Sequence, residues 1–182
     1  MELEEKTLMA KQIFKGKIIN VRVDDVILPD GRTATREIVE HSGAVAIIPL
    51  TYENNIIFVQ QYRKPVEEEI LEIPAGKLEE GENPFKCAER ELKEETGYVA
   101  DNINYITKFY SSPGFSNEVI HLFLARDIRE VEVGGTPEPD EFLRIKKVHI
   151  KDAFEMVLAG EIKDGKTIIG VLIAEALLNK KD

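Results

Sequence analysis

The spacing of apolar positions changes several times along the chain, and each change predicts an element. Residues 1–10 (MELEEKTLMA) are charged with scattered apolar positions and predict a frayed or loosely helical start. From Gln12 to Glu40 the pattern is that of β-structure: FKGKIINVRVDDVIL, a Pro29-Asp30-Gly31 turn, then RTATREIVEH. Asp-Gly between two β-rich runs is a hairpin signal. Ala44–Leu50 (AVAIIPL) is apolar throughout and predicts a strand buried on both faces. Ile56–Tyr62 (IIFVQQY) predicts another, joined to it at Glu53-Asn54-Asn55, and ILEIPAG a short third. Over 84–96 the period becomes helical, and Phe85, Ala88 and Leu92 fall on one apolar stripe. Asn83 suits the N-cap, Pro84 the first helical position, and Gly97 the left-handed residue after the last turn. Strands at Asn102–Tyr110 and Val119–Ala125 flank a loop at 111–118. Residues 127–140, acidic with Gly134, Gly135, Pro137 and Pro139, predict a mobile surface loop. A strand at about 142–149 and two helices, Lys151–Leu158 and Thr167–Leu178, complete the pattern.

At 182 residues the chain has room for one domain with a sizeable core and a modest extension. We place the boundary so that 1–42 is an N-terminal β extension and 43–182 the main domain. A net charge of −10 argues against a nucleic acid or an anionic membrane as partner, since both would repel the chain. The single cysteine, Cys87, excludes an internal disulfide and predicts a reducing, cytoplasmic setting. The start has no apolar core of a signal peptide, and no stretch reaches the length of a membrane span. His41, His121 and His149 stand singly in strand contexts with no metal-ligand spacing, so they read as structural, and zinc is not expected.

Charge within the predicted helix is uneven. Glu89 has Lys93 four residues on, and Glu94 has Arg90 four residues back. Glu91 and Glu95 have each other and no base at helical neighbour spacing, an arrangement that costs roughly 0.2–0.5 kcal/mol unless an outside cation offsets it. A hard divalent ion with oxygen ligands, Mg²⁺ or Mn²⁺, suits such a pair. Pro74-Ala75-Gly76 brings main chain close to these carboxylates, so the Ala75 carbonyl is a candidate ligand.

Gly76, five residues, Glu82, seven residues, then Arg90-Glu91-Leu92-Lys93-Glu94-Glu95-Thr96-Gly97-Tyr98 resembles the Nudix box at every position that defines it. The resemblance implies an α+β fold, the α/β/α Nudix sandwich of mixed sheets, here with an N-terminal antiparallel β extension. It also implies divalent-metal-dependent hydrolysis of a nucleoside diphosphate linked to another group. Two or more ions per site would be held by Glu91 and Glu95, with Glu94 or the Ala75 carbonyl assisting. Gly76, Glu82, Arg90 and Gly97 would be structural within the motif, Arg90 pairing with Glu94 or Glu82.

Three further stretches look like the ADP-ribose pyrophosphatase branch of that family: LEIPAG running into the box; Ser112-Pro113-Gly114, with Pro113 15 residues after Tyr98; and Thr35-Arg36-Glu37. The resemblance implies hydrolysis of ADP-ribose to AMP and ribose 5-phosphate. A strand-rich extension exposes edges that are safest when paired, so a homodimer built largely through residues 12–45 is expected. Arg36 and Glu37 would help hold the adenine across the dimer interface, Arg63 would lie near the diphosphate, and Pro113 and Gly114 would mark the substrate loop. Another nucleoside diphosphate derivative (a sugar nucleotide, NADH or a dinucleoside polyphosphate) is the alternative substrate. A non-catalytic ADP-ribose sensor is the alternative of another class.

Water attacking phosphorus needs a proton acceptor, and carboxylates bound to a metal are poor bases. A carboxylate outside the helix is therefore wanted. The resemblance to the ADP-ribose pyrophosphatases implies a glutamate in this role where the expected mobile loop meets the next strand. Glu141 is the nearest match and Glu138 the runner-up.

Overall fold

The computed structural model describes residues 3–131 and 141–179. Two compact units divide the chain: Met1–Gly43 with Tyr110–Val119, and Ala44–Phe109 with Ile120–Asp182. The segment 110–119 thus groups with the N-terminal strands, which the sequence does not indicate.

In the first unit, β1 (Lys6–Lys15), β2 (Asn20–Ile27) and β3 (Thr33–Glu40) form an antiparallel sheet in the order β1-β2-β3. The β2–β3 connection is the expected Asp-Gly turn, with Gly31 at φ 86° and the Leu28 amide donating to the Arg32 carbonyl at 2.8 Å. The expectation of a frayed or loosely helical start fails, because β1 begins at Lys6. Its register with β2 runs from Lys15↔Asn20 back to Lys6↔Ile27, so the ladder of this hairpin carries strand structure into a segment whose local signals are weak. Segment 110–119 joins this unit through Val39, whose amide donates to the Phe115 carbonyl at 2.7 Å.

The second unit holds the other two sheets. β4 (Ala44–Pro49), β7 (Ala75–Lys77), β8 (Tyr98–Tyr110) and β9 (Val119–Glu130) make a mixed sheet in the order β7-β4-β9-β8, with β4 and β9 parallel. β5 (Asn55–Arg63), β6 (Glu68–Glu72) and β10 (Arg144–His149) make an antiparallel sheet in the order β10-β5-β6. ILEIPAG is therefore not one strand. It crosses from β6 to β7, with the Pro74 carbonyl accepting from the Ile47 amide at 2.8 Å. Proline lacks the N–H that a continuous ladder would require, so the break falls beside it. β9 extends to Glu130, so the expected 127–140 loop is strand at its start, and residues 132–140 lie outside the described part of the chain.

The apolar run of β4 is explained by its layers. Val45 and Ile47 face one cluster with α1 (Pro84–Thr96), through Cys87, Ala88 and Leu92. Ala46 and Ile48 face the other, with α2 (Ile150–Leu158) and α3 (Gly165–Asn179), through Ile150, Ala153, Val171 and Ala174. A strand that must be apolar on both pleats cannot alternate. Among the described residues, no helix is long and apolar enough to cross a membrane.

Candidate active site

The site is built on α1, whose ends are fixed by local chemistry. The Asn83 side chain accepts from the Phe85 amide at 2.9 Å, Pro84 opens the helix, and Gly97 at φ 72° closes it with its amide on the Lys93 carbonyl. With Cys87, Ala88 and Leu92 against β4, the next positions round the helix, Glu91 and Glu95, are drawn toward β7. Glu95 is 5% exposed, and its Oε2 accepts from the Ala75 amide at 2.9 Å. Glu91 lies on Gly76 so closely that a Cβ there would stand 1.9 Å from the Glu91 carboxyl carbon. No side chain fits at 76 while Glu91 stays in place.

Arg90 supports the cluster. Its Nε and Nη2 each donate to Glu82 at 3.1 Å, and Nη1 donates to Glu94 at 3.0 Å and to Glu91 at 2.7 Å. The expectation that Glu91 has no internal base is therefore corrected. Adjacent helix residues do not face each other at Cβ, but the long guanidinium fork curls across the turn to reach Glu91. Glu89 likewise bonds Lys86 at 2.6 Å, one turn back, where Lys93 was expected. The Arg90 bond holds the Glu82 carboxyl down at about 2.

Burial raises the Glu91 carboxyl above its ordinary range, with Arg90 opposing and the charges of Glu94 and Glu141 adding. Burial pushes Glu95 up to about 8, opposed by the Ala75 amide and reinforced by Glu91, Glu141 and Glu72. Glu141 is thus near enough for its charge to act on both helix carboxylates. Glu138 lies outside the described residues.

This donor set suits a hard divalent ion. Two carboxylates that burial and mutual repulsion disfavour as anions gain most from a cation placed between them. Among the described residues, no group of three or more Asp, Glu, His or Cys side chains is disposed to enclose an ion alone. That is compatible with Mg²⁺, which keeps several waters and uses one or two carboxylates plus substrate phosphates.

Arg63, at the end of β5, lies in the same unit, and the charge of Glu95 acts on it. Its Nε and Nη2 make a forked contact with Glu72 at 2.7 and 2.8 Å. Arg36, Glu37, Pro113 and Gly114 belong to the other unit. There Arg36 bonds Glu5, its Nε at 2.8 Å from the carboxylate, rather than a neighbour on the adjoining strand. Sequence reasoning missed Glu72 and Lys166, which meet over 94 positions. The available signal was one glutamate inside the apolar run ILEIP, since a buried charge requires a partner. The histidines make local contacts: His41 Nδ1 accepts from the Gly43 amide at 3.0 Å, and His149 caps α2.

Residues 40–169 match the NUDIX domain, and residues 5–39 match the nucleoside diphosphate sugar hydrolase N-terminal domain. A Bacillus subtilis protein named ADP-ribose pyrophosphatase is 49% identical over 169 residues, covering 93% of this chain and 91% of its own. A Bacillus methanolicus protein named methanol dehydrogenase activator is 46% identical over 180 residues, covering 97% of both. The solved structure of an ADP compounds hydrolase superposes with a TM-score of 0.85 at 19% identity, over 100% of this chain and 98% of that one, which establishes the fold. With a domain match over most of its length, and relatives nearly half identical along almost all of it, the chain belongs to the Nudix family.

Proposed function

We propose that the chain is a divalent-metal-dependent hydrolase that cleaves the diphosphate of ADP-ribose to AMP and ribose 5-phosphate. The observation that carries this reading is the pair of carboxylates on α1, half-buried Glu91 and buried Glu95, set against Gly76 and Ala75, in a chain 49% identical to a protein named ADP-ribose pyrophosphatase. Glu91 and Glu95, with Glu94 or the Ala75 carbonyl, would hold two or more Mg²⁺ or Mn²⁺ ions. Such ions, when bound, neutralise diphosphate oxygens and acidify water. Arg90 keeps Glu91 oriented, and Gly76 leaves it the space it occupies. Glu141 takes the proton of the attacking water, because its charge reaches both helix carboxylates while it lies outside the helix. Arg63 carries positive charge to the diphosphate. Roles for Arg36, Glu37, Pro113 and Gly114 in holding the substrate rest on the sequence resemblance.

The relatives' differing names make the substrate the point to test. Equal concentrations of ADP-ribose, a sugar nucleotide, NADH and a dinucleoside polyphosphate are incubated together with the protein and Mg²⁺. ADP-ribose is expected to be consumed first, and only after metal is added. Faster loss of another compound would move the assignment to it, and no loss of any would leave a binding protein.

The protein is also proposed to act in the cytoplasm as a homodimer through residues 12–45. β1 is an edge strand, exposed along its length, with Leu8, Met9, Ile13 and Phe14 each more than half exposed. Such an edge invites a second copy. Sedimentation showing a fully active monomer would dismiss the dimer.

A further inference from the structure

The chain buries one carboxylate under two cations beside the proposed site. Glu72 is 1% exposed. Its Oε2 accepts from Arg63 Nη2 at 2.8 Å and also from Lys166 Nζ. Lys166, in the first turn of α3, is itself nearly buried and reaches Asp164 at 3.1 Å. Asp164 is anchored in turn, accepting from the Thr167 amide at 3.0 Å and hydroxyl at 2.6 Å, and that hydroxyl accepts from the Ile73 amide at 2.8 Å. Burial alone would raise Glu72, but Arg63 and Lys166 outweigh it and hold the carboxyl below its ordinary range.

The geometry leaves Arg63 in a particular state. Two of its three nitrogens are committed to Glu72, while Nη1 has no protein acceptor among the described residues, and the side chain is 43% exposed. The charge of Asp164 also acts on Arg63. Lys166, standing between Glu72 and Asp164, satisfies Asp164 and shares Glu72. Without it, the guanidinium would face two inner carboxylates alone and be drawn toward them.

We infer that Lys166 and Glu72 are positioning residues: they hold the Arg63 guanidinium edge-on, with Nη1 turned outward to bind the substrate diphosphate. This rests on the proposed diphosphate role of Arg63. It adds that α3, through Asp164 and Lys166, sets the affinity for the anion. Glu72 fixes the fork, Lys166 keeps it from sliding inward, and Asp164 is the rival acceptor.

The test is binding of the non-hydrolysable analogue α,β-methylene ADP-ribose, with steady-state kinetics on ADP-ribose alongside. Arg63→Ala should weaken analogue binding about 10–100-fold, the usual worth of a charge-assisted contact to an anion. Lys166→Met should weaken it by at least about 10-fold, raising KM more than it lowers kcat. The decisive variant is the double change Lys166→Met with Asp164→Asn. Asparagine still caps α3 but removes the rival charge, so affinity should return to within about threefold of wild type. A purely structural role for Lys166 gives no such recovery. Unchanged affinity in Lys166→Met, or no recovery in the double variant, overturns the positioning role while leaving Arg63 in place. Unchanged affinity in Arg63→Ala overturns the Arg63 reading and this inference with it. If Lys166→Met does not fold, Glu72→Gln takes its place. It frees the fork, and an affinity equal to wild type there is equally fatal.

Discussion

Glu95 makes the metal-free protein less stable as pH rises, and Glu95→Gln should remove that dependence. The folded carboxyl stands at about 8 and the ordinary value is 4.5, so between these the native state holds a proton that the unfolded chain has released. Stability therefore falls as pH rises from about 4.5 to about 8 and levels off above. The full shift corresponds to roughly 5 kcal/mol at about 1.4 kcal/mol per unit. Glutamine keeps an acceptor for the Ala75 amide and carries no charge, so it should recover about 2–5 kcal/mol of this at pH 9. For a chain of this size that is a rise in Tm of about 5–15 °C. The assay is thermal unfolding of both proteins in EDTA, at steps from pH 4.5 to 9. The two curves should meet at the acid end and separate toward pH 9, the variant above. Saturating Mg²⁺ should then raise wild type and leave the variant nearly unmoved. A Tm difference that does not change with pH would refute the buried-acid account.

Glu91→Gln and Glu95→Gln should each lose orders of magnitude in kcat with the fold kept, whereas Glu89→Gln, which loses only its exposed contact with Lys86, should stay near wild type in the same assay. Gly76→Ala should be nearly inactive, because its methyl would occupy the space of the Glu91 carboxyl; normal activity would show that Glu91 has another working position. Glu141→Gln should lower kcat about 10²–10⁴-fold with analogue and metal binding little changed. If Glu138→Gln shows that loss instead, the base lies three residues upstream.

The parts of the fold that were legible in the sequence are those set by neighbours in the chain. α1 runs from Pro84 to Thr96 because Asn83, Pro84 and Gly97 fix both ends with local bonds. The unbroken apolar run of β4 follows from burial of both pleats and needs no knowledge of which elements cover it. Pairings made across long separations were not legible. Arg36 meets Glu5, 31 positions away, only once the β1–β2 hairpin has carried its ladder back to Lys6. The break of ILEIPAG into β6 and β7 depends on two different sheets receiving its halves. Within the candidate site, helical spacing places Glu91 beside Glu95, but it says nothing of the reach of Arg90 round the turn. Lys166 belongs to a helix whose sequence is otherwise mostly apolar, and no local pattern links it to Glu72.

Glu91 and Glu95 are proposed to direct water onto a diphosphate. This role is tested most directly by running the reaction on ADP-ribose with Mg²⁺ in ¹⁸O-labelled water and weighing the products. AMP and ribose 5-phosphate are expected in equal amounts, one of them carrying a single ¹⁸O on its phosphate, with formation of both slowed by orders of magnitude in Glu95→Gln. ADP with free ribose, unlabelled phosphates, or undiminished turnover by Glu95→Gln would contradict it.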